Sequence, residues 1–480
     1  MPRVSRTRFT AALLPPIVIG ALLVAAGSAS ANVPVTQVSS DPFTDTQAQH
    51  RTEVEPDTFS FGTTIVSAFQ VGRVSGGGAS NIGFATSTNG GATWTQGFLP
   101  GTTGNAAGPC GQISDASVAF DARHNVWLIS TLGVNCPNTP VFTSRSTNGG
   151  LTWSNPITTA TGSNDKNWIV CDNTTSSPFF GNCYTEYDIT SSGDALRMKT
   201  SSDGGLTWGT ARATANNATG LGGQPIVQPN GTVLVPYQAL NGQIRSFSST
   251  NGGASWSTTV LVSSISHHST AGGLRAGSLP SAEIDSAGTA YVVWSDCRFR
   301  SGCPANDIVL SKSTNGTTWA APTRVPIDAT TSTVDHFVPG IGIDPSTAGA
   351  TARIGLTYYS YPTANCTAAT CRLNVGFISS TNGGTSWSAA TQVAGPMTLS
   401  WIPNTSQGRM FGDYISTSVR SGGNAFPVIP IASAPTGSTF NLGMSAPTGG
   451  LAITGGTNRS STAPVEAALN SQSTGPVTAH

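Results

Sequence analysis

Short apolar runs alternate with polar, glycine-rich turns along nearly the whole chain, and the spacing within each run has the period of two that marks half-buried strands. Ala116–Thr131 (ASVAFDARHNVWLIST), Gln224–Gln238 and Pro280–Asp296 each give an apolar strand ending in Asp or an equivalent, a turn, and a second β-branched or aromatic strand. Asn167–Thr190 and Val338–Ser360 are longer versions, and Asp57–Gln70 is the first. A third, alternating strand follows, as in Asp307–Lys312 or Leu373–Ile378, and it leads into a recurring octad. The copies are Ser87–Trp94 (STNGGATW), Ser146–Trp153, Ser201–Trp208 (SSDGGLTW), Ser249–Trp256, Ser313–Trp319 (one residue short) and Ser380–Trp387, with starts 59, 55, 48, 64 and 67 positions apart. The Asn/Asp-Gly pair predicts a tight hairpin turn. Ser and Asn can lock it through local backbone hydrogen bonds, and the Trp is placed to fold back between neighbouring sheets. A fourth strand such as Thr258–Val262 follows each Trp. Four-stranded antiparallel sheets repeated around an axis make a β-propeller.

Six octads suggest six blades. A seventh pair of strands, Phe411–Ser418 and Asn424–Ala432, nevertheless leads to Phe440–Gly450, which aligns with Asn374–Gly384 as a decayed octad without its Trp. Val35–Ser39 resembles other fourth strands such as Thr323–Ile327, so an N-terminal strand is expected to complete the last blade and protect its edge. The expected fold is all-β, a single propeller over residues 32–450 with seven blades, six being the alternative. Residues 451–480 are rich in Ser, Thr, Ala and Pro without apolar periodicity and read as a disordered tail.

Residues 1–31 change the picture of location. Arg3, Arg6 and Arg8 precede an apolar stretch from Ala11 to Ala26, and Ala29-Ser30-Ala31 is an A-x-A cleavage site, so a signal peptide cut near Ala31 and a secreted protein are expected. No other segment is long and apolar enough to span a bilayer. Removing the three presequence arginines leaves a net charge near −3, without the clustered positive charge that nucleic acid or an anionic membrane requires. Only 9 % of residues are charged and lysine is confined to Lys166, Lys199 and Lys312. Eight cysteines in an exported chain read as disulfides, and short-loop closure favours Cys110/Cys136, Cys171/Cys183, Cys297/Cys303 and Cys366/Cys371. With neither C-x-x-C nor a nearby His pair, no metal and no cofactor is expected. A monomer is expected.

The octads resemble the Asp-box, or bacterial neuraminidase repeat, with the pattern S-x-D-x-G-x-T-W. From about residue 33 to 450 the chain resembles the secreted sialidase-like repeat proteins of bacteria. Asn replaces the Asp in five copies, and only Asp203 keeps it. The resemblance implies that the octads are structural turns on the face opposite a ligand mouth, and that glycans or glycoconjugates are the partners. Around that mouth the order of loops places Asp57, Arg73, Asp115, Asp165, Lys166, Glu186, Gln224, Tyr237, Arg275, Asp296, Arg298, His336, Asp413 and Tyr414. Sialidases clamp a substrate carboxylate with three arginines, use a Tyr nucleophile activated by a Glu, and an Asp as acid/base. On that resemblance Asp115 is the acid/base, Glu186 the activator and Tyr414 (in GDYIS) the nucleophile. Arg275 and Arg298 are clamp residues, Asp296 and Asp413 further substrate contacts, and Trp401 a stacking platform. The family's Arg-Ile-Pro is replaced by Glu53-Val54-Glu55-Pro56-Asp57, and the third arginine falls among Arg51, Arg73 and Arg409. Three functions follow: an exo-glycosidase of sialidase type, a non-catalytic glycan- or protein-binding propeller, or another hydrolase or lyase built on Asp115, Glu186 and Asp413.

Overall fold

A computed structural model of the protein describes residues 33–461; the signal segment expected at 1–31 and positions 462–480 of the expected tail lie outside them. Among the described residues the helical pieces are single three-residue turns, such as Leu399–Trp401, and no helix is long and apolar enough to cross a membrane. The rest is strand and turn. The strands form seven successive antiparallel meanders, whose first members are Ala48–Phe61, Gln112–Asp121, Asn164–Cys171, Ile226–Val227, Ser281–Ile284, Asp335–Ile343 and Ser416–Val419. The seventh meander takes in a strand from the other end of the chain. Val35–Gln37 pairs antiparallel with Leu442–Pro447, Val35 opposite Pro447.

The octads turn the third strand of a meander toward its fourth, and their side chains do what turn chemistry predicts. The Ser hydroxyl accepts the N–H of the Gly that follows, from Gly91 to Ser87 (2.8 Å), Gly150 to Ser146 (2.9 Å), Gly205 to Ser201 (3.0 Å), Gly253 to Ser249 (3.0 Å) and Gly384 to Ser380 (3.0 Å). The short copy makes the same bond from Gly316 to Ser313 at 2.8 Å. The Asn or Asp carboxamide or carboxylate oxygen accepts a second N–H, that of Thr93 on Asn89 (2.9 Å) or of Thr207 on Asp203 (2.9 Å). Glycine is required at Gly150, where φ is 81° and a Cβ would stand 2.7 Å from Val66 of the preceding meander. Each octad Trp packs on that preceding meander, as Trp153 on Phe84 (5.9 Å) and Trp256 on Tyr184 (6.3 Å). Ser380→Ala should therefore cost about 1–3 kcal/mol, because it orphans the buried Gly384 N–H; a urea unfolding midpoint unchanged from wild type would contradict this role.

The apolar core lies between consecutive meanders, in separate layers. Trp153 joins Val66, Phe84, Val118 and Trp127 between the first and second, and Trp387 joins Tyr291, Leu310 and Ile354 between the fifth and sixth. One layer joins the two ends of the chain: Val428, Met444 and Ala446 of the last meander pack on Phe69, Val71 and Ala85 of the first, with Val38 between. Residues from all seven first strands line a single central cavity of about 590 Å³.

Residues 451–461, expected as tail, stay against the sheets. Leu451 and Ile453 are buried in the core around Phe377 and Val419, Leu451 exchanges backbone hydrogen bonds with Ala425, and Asn458–Arg459 pairs with Ser386–Trp387. Two isolated apolar residues in a Ser/Thr-rich run are enough to dock a segment that carries no periodic signal. All four disulfides form with the sequential pairing expected from short loops.

Candidate functional site

In four of the first strands the register slips just before the strand enters the sheet proper, between Val54 and Asp57, Ser114 and Ser117, Asp165 and Trp168, and Phe337 and Gly340. In each slip one non-glycine residue takes a positive φ: Glu55 (54°), Asp115 (45°), Lys166 (47°) and Val338 (47°). Such bulges re-aim a side chain, and each left-handed non-glycine residue costs on the order of 1–3 kcal/mol that the surroundings must offset. Three of the four side chains aimed in this way are charged, and they converge. The Lys166 ammonium lies 3.6 Å from the Glu55 carboxylate, 3.2 Å from Asp115 and 3.0 Å from Asp413.

The cluster is buried and cross-braced. Arg275 donates to both oxygens of Asp413, through Nε at 2.7 Å and through Nη2. Glu55 accepts the Asp413 N–H at 3.1 Å and a hydrogen bond from the Gln70 amide, which also reaches Ser114 at 3.0 Å. Asn167, beside Lys166 in its bulge, donates to the Asp115 carbonyl at 3.0 Å. Arg73 is 1 % exposed, with Nη1 on Gln70 (3.2 Å) and the Gly78 carbonyl (3.0 Å). Lys166 is 6 % exposed and Asp115 2 %, so these charges act on one another with little screening.

The protonation states follow. Burial works against the Lys166 charge, but Asp115, Asp413 and Glu55 outweigh it and hold the ammonium pKa well above the usual lysine value. Burial raises Asp413 too, yet Lys166 and Arg275 prevail and keep it ionised far below the ordinary carboxylate range. Glu55 goes the other way: burial pushes its carboxyl up against the pull of Lys166, and Asp115 and Asp413 add to the rise. Tyr414 is pushed well above the usual phenol value by burial and then by Glu55 and Asp115. Its hydroxyl donates to the Ala116 carbonyl at 3.4 Å, its ring faces the Lys166 ammonium at 5.5 Å, and Trp168 meets it edge-on at 5.1 Å. A phenol held neutral in this way donates a hydrogen bond, and acts as a nucleophile only where a neighbouring base takes its proton.

Of the residues singled out in the sequence, Asp115, Lys166, Arg275, Asp413 and Tyr414 come together here, with Arg73 beside them. Glu186 lies in the neighbouring strand Cys183–Ile189, beneath Gly223, where a Cβ would meet its carboxyl carbon at 2.5 Å. Burial and then Asp188 push its carboxyl well up, with the Gly223 N–H opposing. Arg298 and Asp296 form a pair of their own. Asp296 takes Arg298 Nε at 2.9 Å, Trp294 Nε1 at 3.0 Å and the Ser266 N–H at 3.2 Å, so this arginine is spent on fastening its own loop. Trp401 ends the turn Leu399–Trp401 and packs half-buried against the core around Leu399 and Ile402. Lys166 is a mouth residue without an assigned role, and Glu55 is the member that loop order does not single out. The signals were present, in a scarce lysine and in a Glu-Val-Glu-Pro run where the resemblance leads one to look for Arg-Ile-Pro.

Among the described residues, Asp307, Asp328 and His336 are grouped closely enough to hold a metal ion. Arg300 and Arg324 already occupy both carboxylates, at 2.7 and 3.0 Å and at 2.8 and 2.6 Å. A cation there would have to displace two guanidinium groups, so the donor set does not fit a metal.

No protein-family model and no curated protein sequence matches the chain. Among solved structures it is similar to the NanB sialidase of Streptococcus pneumoniae, at 11% identity over 86% of this chain and 69% of that one, TM-score 0.43. It is also similar to an ulvan lyase of polysaccharide lyase family PL25 (11% identity, 84% and 96% covered, TM-score 0.47). A third is the α-L-arabinofuranosidase of Fusarium graminearum (13% identity, 73% and 98% covered, TM-score 0.41).

Proposed function

We propose that this protein is an exported, seven-bladed β-propeller enzyme that cleaves glycans at the cluster of Glu55, Asp115, Lys166, Asp413 and Tyr414. Seven first strands around one cavity, and the core layer joining the last meander to the first, support a ring closed by Val35–Gln37. The propeller takes in residues 33–450, with the segment to 461 packed on it. Four disulfides suit an oxidising compartment and so the export that the first 31 residues imply.

The observation that carries the enzymatic reading is the convergence of three carboxylates on Lys166, with Glu55, Asp115 and Lys166 itself aimed from bulges with positive φ, a strained arrangement of the kind found at reaction centres. Glycoside hydrolysis needs one carboxyl that holds a proton and another that stays ionised. Glu55, raised by burial, is the proton donor, and Asp115 is the partnering carboxylate. Lys166 holds both in place, Arg275 orients Asp413, and Tyr414 donates a hydrogen bond. The Trp168 and Tyr414 rings offer faces for a sugar. This is the carboxylate-based alternative; a sialidase mechanism would need Arg298 free and Tyr414 ionisable. A second reading, a propeller that binds glycans without cleaving them, draws on the complete internal pairing of Lys166.

A panel of fluorogenic glycosides, sialosides included, tests the proposal on purified mature protein. Turnover of at least one substrate, falling about 10²–10⁴-fold in Glu55→Gln with the circular dichroism spectrum unchanged, is the expected result. Binding on a glycan array with no turnover of any substrate would establish the second reading instead.

A further inference from the structure

The central cavity has a second end that the cluster does not use. The turn after the strand Ala48–Phe61 contacts the first octad, Gly90 donating to the Thr63 carbonyl at 2.8 Å, so this end of the cavity opens on the octad face. The Trp168 and Tyr414 rings, 5.1 Å apart, separate it from the charged end, where a small pocket lies beside Asp115 and Lys166. Phe59, Phe61, Ile226, Ile284, Ile343 and Val419 give the wide end apolar walls, and its volume of about 590 Å³ falls within the range of small-molecule sites.

The ionisable groups in those walls are all acidic. Asp57, Glu283 and Asp285 line the cavity, and no lysine, arginine or histidine is among the lining residues. Two of the three carboxylates have structural work. Asp57 accepts the N–H groups of Thr58 (2.8 Å) and Val118 (2.7 Å), and Asp285 accepts those of Ala287 (3.0 Å), Thr289 (2.9 Å) and Gly349 (2.8 Å). Glu283 is half-buried on the strand Ser281–Ile284; burial and then the Asp57 carboxylate push it up to about 8, against a hydrogen bond from the Ile284 N–H. No cationic side chain lines the cavity to pair with this carboxyl, and a ligand that brings a positive charge is favoured.

We propose that the octad-face end of the cavity binds a small amphiphilic amine, its ammonium group on Glu283 and its apolar body against Phe59, Ile226 and Ile343. Apolar walls select the body, and Glu283, which has no cationic partner in the lining, selects an ammonium group that holds it ionised. None of Glu55, Asp115, Lys166, Asp413 and Tyr414 lines this site, and Trp168 is a wall it shares with the mouth.

Dansylcadaverine, a primary amine on an apolar fluorophore, tests the site by fluorescence titration, with neutral dansylamide as the control. Wild type should bind the amine at least tenfold more tightly than the neutral probe. Glu283→Gln should remove that preference while leaving dansylamide affinity within about twofold, since a charge-assisted contact is lost and the walls remain. Ser421→Trp, at an exposed rim position, should weaken both probes by blocking entry. Equal affinity of wild type and Glu283→Gln for the amine, or no fluorescence change up to about 1 mM, would overturn the proposal. So would undiminished binding in the Ser421→Trp variant.

Discussion

Lys166→Met should lower the unfolding free energy by about 3–5 kcal/mol at pH 7, the range for removing one partner of a buried charge set, and should bring glycan turnover to background. The ammonium lies within 3.6 Å of three carboxylates that are almost entirely out of water. Arg275 still holds Asp413 in the variant, so the exposed deficit is that of Glu55 and Asp115, two buried carboxyls left facing each other. They can relieve it only by taking up protons. The destabilisation should accordingly shrink when urea unfolding is repeated at pH 5, whereas removal of a solvated surface lysine would cost less than about 1 kcal/mol at both pH values. A loss that small would mean that Lys166 does not organise the cluster.

Wild-type protein should be markedly more stable at pH 5 than at pH 8. Burial raises Glu53, Asp57 and Asp335 each to about 7, from ordinary values of 4.5, 3.8 and 3.8. A carboxyl whose folded pKa exceeds its unfolded one binds more protons in the folded state. Its stabilising contribution is complete below the unfolded pKa, near 4, and is lost as pH rises through 7. Each such group contributes on the order of 2 kcal/mol between pH 8 and pH 5. Groups with depressed values, Asp413, Asp203 and Asp344 among them, act oppositely and lose their contribution as pH falls below about 4. The optimum thus lies in mildly acidic solution. Glu53 localises part of the effect, because it accepts the Met444 N–H at 2.9 Å and the Ser39 hydroxyl, tying the N-terminal strand to the last meander. Urea midpoints across pH 4–9 should peak near 5, and Glu53→Gln should flatten the alkaline side. A profile level from pH 5 to 8 would contradict the burial of these carboxyls.

What was legible in the sequence is what local chemistry decides. The octad turns, the strand pairs between them and the four disulfides depend on residues close in the chain, and Val35–Gln37 announced its pairing by resembling other fourth strands. The cluster was half legible. Residue type and order around the ring brought out Asp115, Lys166, Arg275, Asp413 and Tyr414, but Glu55, Asp115 and Lys166 meet at the centre because a register slip turns each of them inward. A slip is set by how one strand pairs with its neighbour, and no local pattern encodes it. Arg298 shows the converse: its type suited a carboxylate clamp, and the Asp two positions earlier claims it. The docking of residues 451–461 escaped for a similar reason, since it depends on where Leu451 and Ile453 land rather than on any periodicity.

The central claim is that glycans react at the Lys166 cluster, and a crystal structure of the Glu55→Gln variant soaked with its best substrate or a slow analogue tests it most directly. A sugar stacked on Trp168 or Tyr414, with its glycosidic oxygen within hydrogen-bond reach of position 55 or Asp115, is the predicted result. A sugar held at the rim by Arg298 or Trp401, with the cluster untouched, would contradict the account.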